Sequence, residues 1–143
     1  MATSVQSCVA GPIRILVVDD SRPFRRILHR LLTSFSGLTV VGEAEDGQSA
    51  IEMASRLDPQ VITMDMQMPR LGGVEATKRI KKALPEVHVI GLSLQDDIVT
   101  REVMEMVGAS AFISKEFAHI LPEVIAKITG SQELKETFRE GLL

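Results

Sequence analysis

Three aspartates stand at the ends of short apolar runs, where a charge is out of place inside a protein. Asp19 and Asp20 directly follow the run ILVV, and Asp65 ends the run VITMD. Because an unpaired buried charge is costly, we expect Asp65 to lie at the open end of a strand, beside a group that favours a carboxylate. Ser93 and Lys115 close two later apolar runs. Carboxylates, a hydroxyl and an ammonium are residue types that can bind a metal ion and a phosphoryl group.

The elements that must position these residues alternate along the chain. Five short runs rich in valine and isoleucine begin at Ile13, Leu38, Val61, Val87 and Ser110, and apolar stripes at helical spacing follow them. Most of the runs lack strict polar and apolar alternation, as expected for parallel strands covered on both faces. Strand then helix, five times, predicts a doubly wound α/β fold with a five-stranded parallel sheet and five helices.

A strand order of 2-1-3-4-5 would bring the charged residues together. Ligands of open parallel sheets bind beyond the carboxyl ends of the strands, where the strand order reverses. In that order the first and third strands are neighbours, so Asp19, Asp20 and Asp65 converge. Like charges about 4 Å apart repel by about 4 kcal/mol at an effective dielectric constant near 20. Lys115 supplies one positive charge, and the remaining deficit predicts Mg²⁺, for which Mn²⁺ can substitute.

The composition bounds the class of protein. The 143 residues suit one domain, and a net charge of -3 argues against a surface that binds nucleic acid directly. Cys8 is the only cysteine, which excludes an internal disulfide. The first residues lack the pattern of a signal peptide, and no apolar run approaches the ~20 residues that span a membrane. We therefore expect a cytoplasmic protein without membrane contact.

Four motifs resemble the receiver domains of two-component response regulators. They are VVDD after the first strand, DMQMPRLGG around Asp65, GLS at the end of the fourth strand and FISK at the end of the fifth. They occur in the usual order and at the usual distances. The resemblance implies a flavodoxin-like receiver domain over residues 13–129, which leaves residues 1–12 as a flexible lead-in. Residues 130–143 would form a tail or linker helix, and the apolar Leu134 and Phe138 of this segment could continue the last helix of the domain.

The resemblance assigns a role to each residue of the acidic cluster. Asp65 would be the phosphorylated residue. Asp19 and Asp20 would hold Mg²⁺ together with Asp65 and the backbone carbonyl of Gln67, with Asp20 the more direct ligand. Lys115 would pair with the phosphoryl group. By the same resemblance, the switch residues would be Ser93, whose hydroxyl moves toward the phosphoryl group, and Phe112, which turns inward behind it.

Some positions depart from the common pattern of such domains. Phe112 stands where many relatives have tyrosine. Glu116 replaces a proline that is often in a cis bond, and a cis bond before another residue costs ~2.5–4 kcal/mol, which leaves this bond's conformation open. Leu94 stands where a small residue is frequent, and we expect its bulk to slow phosphotransfer or dephosphorylation. Gln67 and Gln95 flank the expected phosphoryl position, where they could orient or exclude water.

The sequence thus predicts a signalling switch that is not an enzyme, apart from promoting its own phosphorylation and dephosphorylation. A histidine kinase or phosphotransfer protein would be the phosphoryl donor, and a downstream protein, an output domain or a second copy of the chain would be the acceptor of the signal. A Mg²⁺-dependent phosphohydrolase is an alternative. Such enzymes usually place an acid two residues after the nucleophile, where this chain has Gln67. A docking module that works without phosphorylation is a second alternative.

Overall fold

A computed structural model describes residues 11–95 and 97–140 of the protein. Within these ranges a single parallel sheet has the order β2-β1-β3-β4-β5. Its strands are β1 (Ile13–Val18), β2 (Leu38–Ala44), β3 (Val61–Asp65), β4 (His88–Ser93) and β5 (Ala111–Ser114). The predicted doubly wound sheet and its strand order 2-1-3-4-5 are confirmed.

Six α-helices and one 3₁₀ helix connect or follow the strands in the described ranges. The helices are α1 (Arg22–Thr33), α2 (Gly47–Leu57), α3 (Gly73–Ala83), α4 (Ile98–Met106), α5 (Leu121–Thr129) and α6 (Gln132–Glu140), and the 3₁₀ helix is Lys115–Ile120. The five predicted helices correspond to α1 to α5. The sixth α-helix is the difference from the prediction.

Alternate residues of β1 face two separate hydrophobic clusters. Ile15 and Val17 of β1 pack into the cluster that contains residues of α1 and α5. Leu16 and Val18 pack into the cluster on the opposite face, with residues of α2, α3 and α4. All four side chains are fully buried. Continuous apolar runs are therefore required here, because both faces of the sheet are covered.

The tail folds back onto the domain and does not extend the preceding helix. Gly130 ends α5 in the left-handed region, with φ of 72°, and α6 then begins as a separate helix. Leu134 of α6 is 1% exposed and lies against Gly37, where an added Cβ would meet its side chain at 3.2 Å. The ring centroids of Phe138 and Phe35 are 5.5 Å apart. Burial of these apolar side chains favours a return to the core over a straight continuation into solvent.

The first residues of the chain and a membrane span are two further features considered from the sequence. Cys8 and the first ten residues of the predicted lead-in lie outside the described part of the chain. Among the helices of residues 11–95 and 97–140, none has the length and apolar content needed to cross a bilayer.

Candidate functional site

The candidate site lies at the carboxyl end of the sheet. Asp19 directly follows β1, Asp65 is the last residue of β3, and these two strands pair in parallel. Asp19 and Asp65 are buried, whereas Asp20 is exposed. One carboxylate oxygen from each of the three lies within 4.8 Å of the other two. The structure therefore brings together the carboxylates that the sequence predicts to converge.

Lys115 bridges the two buried carboxylates. It directly follows β5, and its Nζ lies 2.8 Å from Oδ2 of Asp19 and 3.2 Å from Oδ1 of Asp65. Its side chain is only 9% exposed. The Nζ also lies 4.6 Å from the centroid of the Phe24 ring, which belongs to the first turn of α1. Two carboxylates and an aromatic face thus surround the ammonium.

The cluster remains short of positive charge. Burial raises the pKa of the Asp65 carboxyl to about 6, and the negative charge of Asp19 adds to the rise while Lys115 opposes it. Burial acts to lower the pKa of the Lys115 ammonium, but its hydrogen bond to Asp19 and the charge of Asp65 outweigh burial and raise that pKa. Lys115 is therefore a cation at neutral pH, and one ammonium faces three carboxylates.

The donor set fits a hard divalent cation. Both oxygens of Asp19 are already engaged, Oδ1 by the backbone N–H of Ser21 at 2.8 Å and Oδ2 by Lys115. Asp20 is exposed and is thus the carboxylate that solvent reaches most easily. A site of carboxylate oxygens with excess negative charge, open to water on one side, matches the preference of Mg²⁺ for a few protein ligands and several waters.

Tight backbone packing fixes where Asp65 ends its strand. An added Cβ on Gly73, the first residue of α3, would lie 2.4 Å from the carbonyl oxygen of Asp65. Only glycine allows this approach. The backbone N–H of Met66 donates to the carbonyl of Leu92 at 3.1 Å, which continues the pairing of β3 with β4 one residue beyond Asp65. The carboxylate therefore leaves the sheet from a rigid backbone.

The loop between β3 and α3 is tied to the start of α2. Nε and Nη2 of Arg70 donate to Oδ2 of Asp46 at 3.1 and 2.7 Å, while Oδ1 of Asp46 accepts the N–H of Ser49 and caps α2. The bond from Ser49 and the pairing with Arg70 lower the pKa of the Asp46 carboxyl. Arg70 adopts a left-handed φ of 68°, a strained conformation for its residue type that the Asp46 contact helps to hold.

Gln67 lies near the start of this anchored loop. Its backbone N–H is directed at Oδ1 of Asp65 at 3.4 Å. The loop that carries the predicted carbonyl ligand is therefore attached both to the acidic site and, through Arg70, to α2. The carbonyl of Gln67 as a metal ligand stays a prediction.

The end of β4 presents a buried hydroxyl beside an exposed apolar side chain. Ser93 is buried, and its Oγ accepts the backbone N–H of Gln95 at 3.1 Å. Leu94 follows it and is 76% exposed, so most of its side chain faces solvent. Gln95 is also exposed. The slowing of phosphotransfer or dephosphorylation by Leu94 stays a prediction.

Phe112 already lies inside the protein in this structure. Its ring is close to Gly91, where an added Cβ would meet Cδ1 at 2.9 Å, and the residue is 9% exposed. The guanidinium of Arg101 lies 5.0 Å from the ring centroid, and Nη1 donates to the carbonyl of Phe112 at 3.1 Å. Arg101 thus covers the ring from α4.

The peptide bond after Lys115 is trans, because the described residues contain no cis bond. Glu116 therefore starts the loop with an ordinary bond, and the chain enters the 3₁₀ helix at Lys115. The absence of proline at position 116 left the conformation of this bond open, and the structure shows it to be trans.

Three residues near the site carry contacts that the sequence does not single out. Phe24 belongs to the apolar stripe of α1, and nothing in the stripe shows which member faces Lys115. Arg70 and Arg101 read as solvated charges, because their partners lie in other elements. The local signal for Arg70 is its place in the loop after Asp65, two residues before a pair of glycines.

Comparison with known families and proteins identifies relatives over most of the chain. The response regulator receiver domain family matches residues 15–129. Protein-glutamate methylesterase/protein-glutamine glutaminase 4 of Myxococcus xanthus is 41% identical over 129 residues, which are 90% of this chain and 36% of that protein. The transcriptional regulatory protein DegU of Brevibacillus brevis is 38% identical over 104 residues, 73% of this chain and 44% of DegU. The chain thus spans less than half of either protein.

A solved structure shares both the fold and the sequence pattern. The response regulator domain of Thermotoga maritima CheB superposes with a TM-score of 0.75 at 38% sequence identity, and the match covers 87% of this chain and 97% of that domain. The similarity therefore extends over essentially the whole of the compared domain.

Proposed function

The chain belongs to the family of response regulator receiver domains, which are phosphorylation-dependent switches of two-component systems, and on that premise we propose that Asp65 is its phosphoryl acceptor. The observation that carries the proposal is the bridge from Lys115 to Asp19 and Asp65 at the carboxyl end of adjacent strands. This arrangement supports the proposal, because the Asp65 carboxylate lies beside a cation and close to Asp19 and Asp20.

The acidic cluster is the proposed magnesium site. Asp19, Asp20 and Asp65 would hold the ion together with the backbone carbonyl of Gln67, and Mn²⁺ can substitute. Asp20 would be the more direct ligand, because both oxygens of Asp19 already have partners. When bound, the ion supplies positive charge that neutralises the oxygens of the incoming phosphoryl group.

The proposed reaction is transfer of a phosphoryl group from a phosphohistidine. A carboxylate oxygen of Asp65 attacks the phosphorus, and the P–N bond of the donor breaks. Its electron pair stays on the imidazole nitrogen of the donor. The attack requires ionised Asp65, which a pKa of about 6 allows at neutral pH. Lys115 would move from Oδ1 of Asp65 to an oxygen of the transferred group, where it offsets the added charge.

The proposed switch starts at Ser93. In the unphosphorylated protein its Oγ accepts the N–H of Gln95, and phosphorylation would redirect the hydroxyl toward the phosphoryl group. A full shift from 1:99 to 99:1 needs about 5.5 kcal/mol, whereas one charged hydrogen bond supplies only about 1.5–3 kcal/mol. Movement of Lys115 and relief of carboxylate repulsion would add the remainder. Because Phe112 already lies inward, its ring would support the switched state without a large rotation.

The proposed partners are a phosphodonor and a receiver of the signal. A histidine kinase or a histidine phosphotransfer protein would supply the phosphoryl group. Large apolar side chains are exposed before and along α4 and in the 3₁₀ helix; they are Leu94, Ile98, Val99, Met106 and Phe117. Such a patch suits a contact that phosphorylation regulates, either with an output domain or with a second copy of the chain. The chain itself would promote only its own phosphorylation and dephosphorylation.

Intact-protein mass spectrometry with acetyl phosphate tests the proposal. We expect one phosphoryl adduct that requires Mg²⁺, disappears in Asp65→Asn and remains in the control variant Asp58→Asn. Asp58 is exposed at the far end of β3, just after α2. An adduct that persists in Asp65→Asn would contradict the assignment of the acceptor. A folded, Mg²⁺-saturated protein that accepts no phosphoryl group from acetyl phosphate or from a phosphohistidine donor would favour the docking module.

A further inference from the structure

The ammonium of Lys115 is surrounded on three sides. Two of its sides face carboxylate oxygens, at 2.8 Å from Asp19 and 3.2 Å from Asp65. The Phe24 ring covers a third side, with its centroid 4.6 Å from Nζ. The negative face of an aromatic ring attracts a cation within about 6 Å of its centroid. The ring therefore stands where water would otherwise hydrate the ammonium.

The segment that holds Asp19 also fixes Phe24. The N–H of Ser21 donates to Oδ1 of Asp19 at 2.8 Å, and Oγ of Ser21 accepts the N–H of Phe24 at 3.3 Å as the N-cap of α1. Pro23 stands in the first turn of the helix, and the Phe24 side chain packs against the hydrophobic cluster of α1 and α5. The ring is thus held in a defined position relative to the buried carboxylate.

The backbone around Lys115 is held by fewer side-chain hydrogen bonds than the backbone around Phe24. It begins the 3₁₀ helix, whose first turn has no side-chain cap, and the bond that follows it is an ordinary trans bond. A lysine side chain is a flexible stem with a point charge at its tip. During phosphoryl transfer the ammonium must leave Oδ1 of Asp65 for a new oxygen. A ring face attracts a cation without binding it to one atom, so the ammonium can make this shift while it stays on the ring.

We propose that Phe24 is a positioning residue for phosphoryl transfer, whose ring keeps the Lys115 ammonium at the reactive carboxylate. The inference rests on the proposed role of Asp65 as the acceptor. Phe24, a member of the apolar stripe of α1, would thus raise the rate of phosphorylation in addition to its contribution to packing. That effect must act through the positive charge of Lys115.

The test compares phosphorylation rates of variants at saturating Mg²⁺ over a range of acetyl phosphate concentrations. We expect Phe24→Leu, which keeps an apolar side chain but loses the ring, to lower the maximal rate about three- to tenfold, in line with the strength of a partly buried cation–π contact. Phe24→Tyr keeps the ring and should stay within about twofold of the parent. Phe35→Leu is the matched control, since this ring contacts Phe138 far from the site.

A second arm separates positioning from packing. In a Lys115→Met background, followed over a longer time course, Phe24→Leu should cause no further loss of rate, because no ammonium remains to position. The inference would be overturned if Phe24→Leu phosphorylated as fast as the parent, if Phe24→Tyr were as slow as Phe24→Leu, or if the loss persisted in the Lys115→Met background. A parent protein that gains no phosphoryl group from acetyl phosphate or from a phosphohistidine donor would instead refute the proposed function itself.

Discussion

Replacing Asp65 with asparagine is expected to stabilise the metal-free protein, although Asp65 is the proposed reactive residue. In the folded protein this carboxyl is buried beside Asp19, and Lys115 is the one cation among the described residues that pairs with the two charges. Asparagine has nearly the same shape and carries no charge. The substitution therefore removes the repulsion while it leaves the packing around the end of β3 intact.

The size and pH dependence of the effect follow from the pKa of Asp65. The pKa of the Asp65 carboxyl rises from 3.8 to about 6 on folding. Its contribution to the free energy of unfolding is therefore fully present below pH 3.8, and it is lost as the pH rises through about 6. At about 1.4 kcal/mol per pH unit, the loss amounts to about 3 kcal/mol. Water at the open side of the pocket screens part of it, so we expect a stabilisation of about 1–3 kcal/mol at pH 8 and none below about pH 4.

Urea unfolding in the presence of a chelator, at several values between pH 4 and pH 8, measures this difference. Asp97→Asn is the control, because Asp97 is an exposed cap of α4 that asparagine can replace. A stabilisation by Asp65→Asn that does not vary with pH, or none at pH 8, would refute the electrostatic reasoning.

Saturating Mg²⁺ should stabilise the parent by about 2.7 kcal/mol at a hundredfold excess over its dissociation constant, and the Asp65→Asn variant by less.

Three further predictions concern α6, the anchored loop and the rim of the site. Leu134→Ala should lower the free energy of unfolding by about 2–5 kcal/mol, because the side chain is buried; a loss below about 1 kcal/mol in urea unfolding would mean that α6 detaches in solution. Arg70→Met should lower the free energy of unfolding at neutral pH. The difference in this free energy between variant and parent should shrink as the pH falls below 3.8, because protonated Asp46 is no longer stabilised by the arginine cation. An equal difference at every pH in urea unfolding would contradict this. Leu94→Ala should shorten the half-life of the phosphorylated protein, measured by intact mass, and an unchanged half-life would exclude a slowing of dephosphorylation by Leu94.

The fold and the meeting of the three aspartates could be predicted because both follow from local patterns. Apolar runs with valine and isoleucine define the strands, and the order of a doubly wound sheet brings the residues after β1 and β3 to one edge. Asp19, Asp20 and Asp65 then converge whatever the details of packing. Family resemblance added the proposed roles, which the geometry supports through the bridge made by Lys115.

The remaining features depend on contacts between elements that are distant in sequence. The fold-back of α6 depends on burying Leu134 against Gly37, and the helical spacing of the tail is equally compatible with a straight extension of α5. Phe24 reads as an ordinary member of the α1 stripe until the position of Lys115 is known. The inward position of Phe112 likewise depends on the space above Gly91. Periodicity identifies which face of an element is apolar, but it does not identify the partner of each side chain.

Chemical trapping of the phosphorylated residue tests the central claim most directly. After incubation with acetyl phosphate and Mg²⁺, borohydride reduces an aspartyl phosphate to homoserine, and peptide mass spectrometry then locates the converted residue. We predict homoserine at position 65 alone, with no conversion when Mg²⁺ is chelated. Conversion at Asp19 or Asp20, or a phosphoryl adduct that borohydride does not convert, would contradict the account of Asp65 as the acceptor.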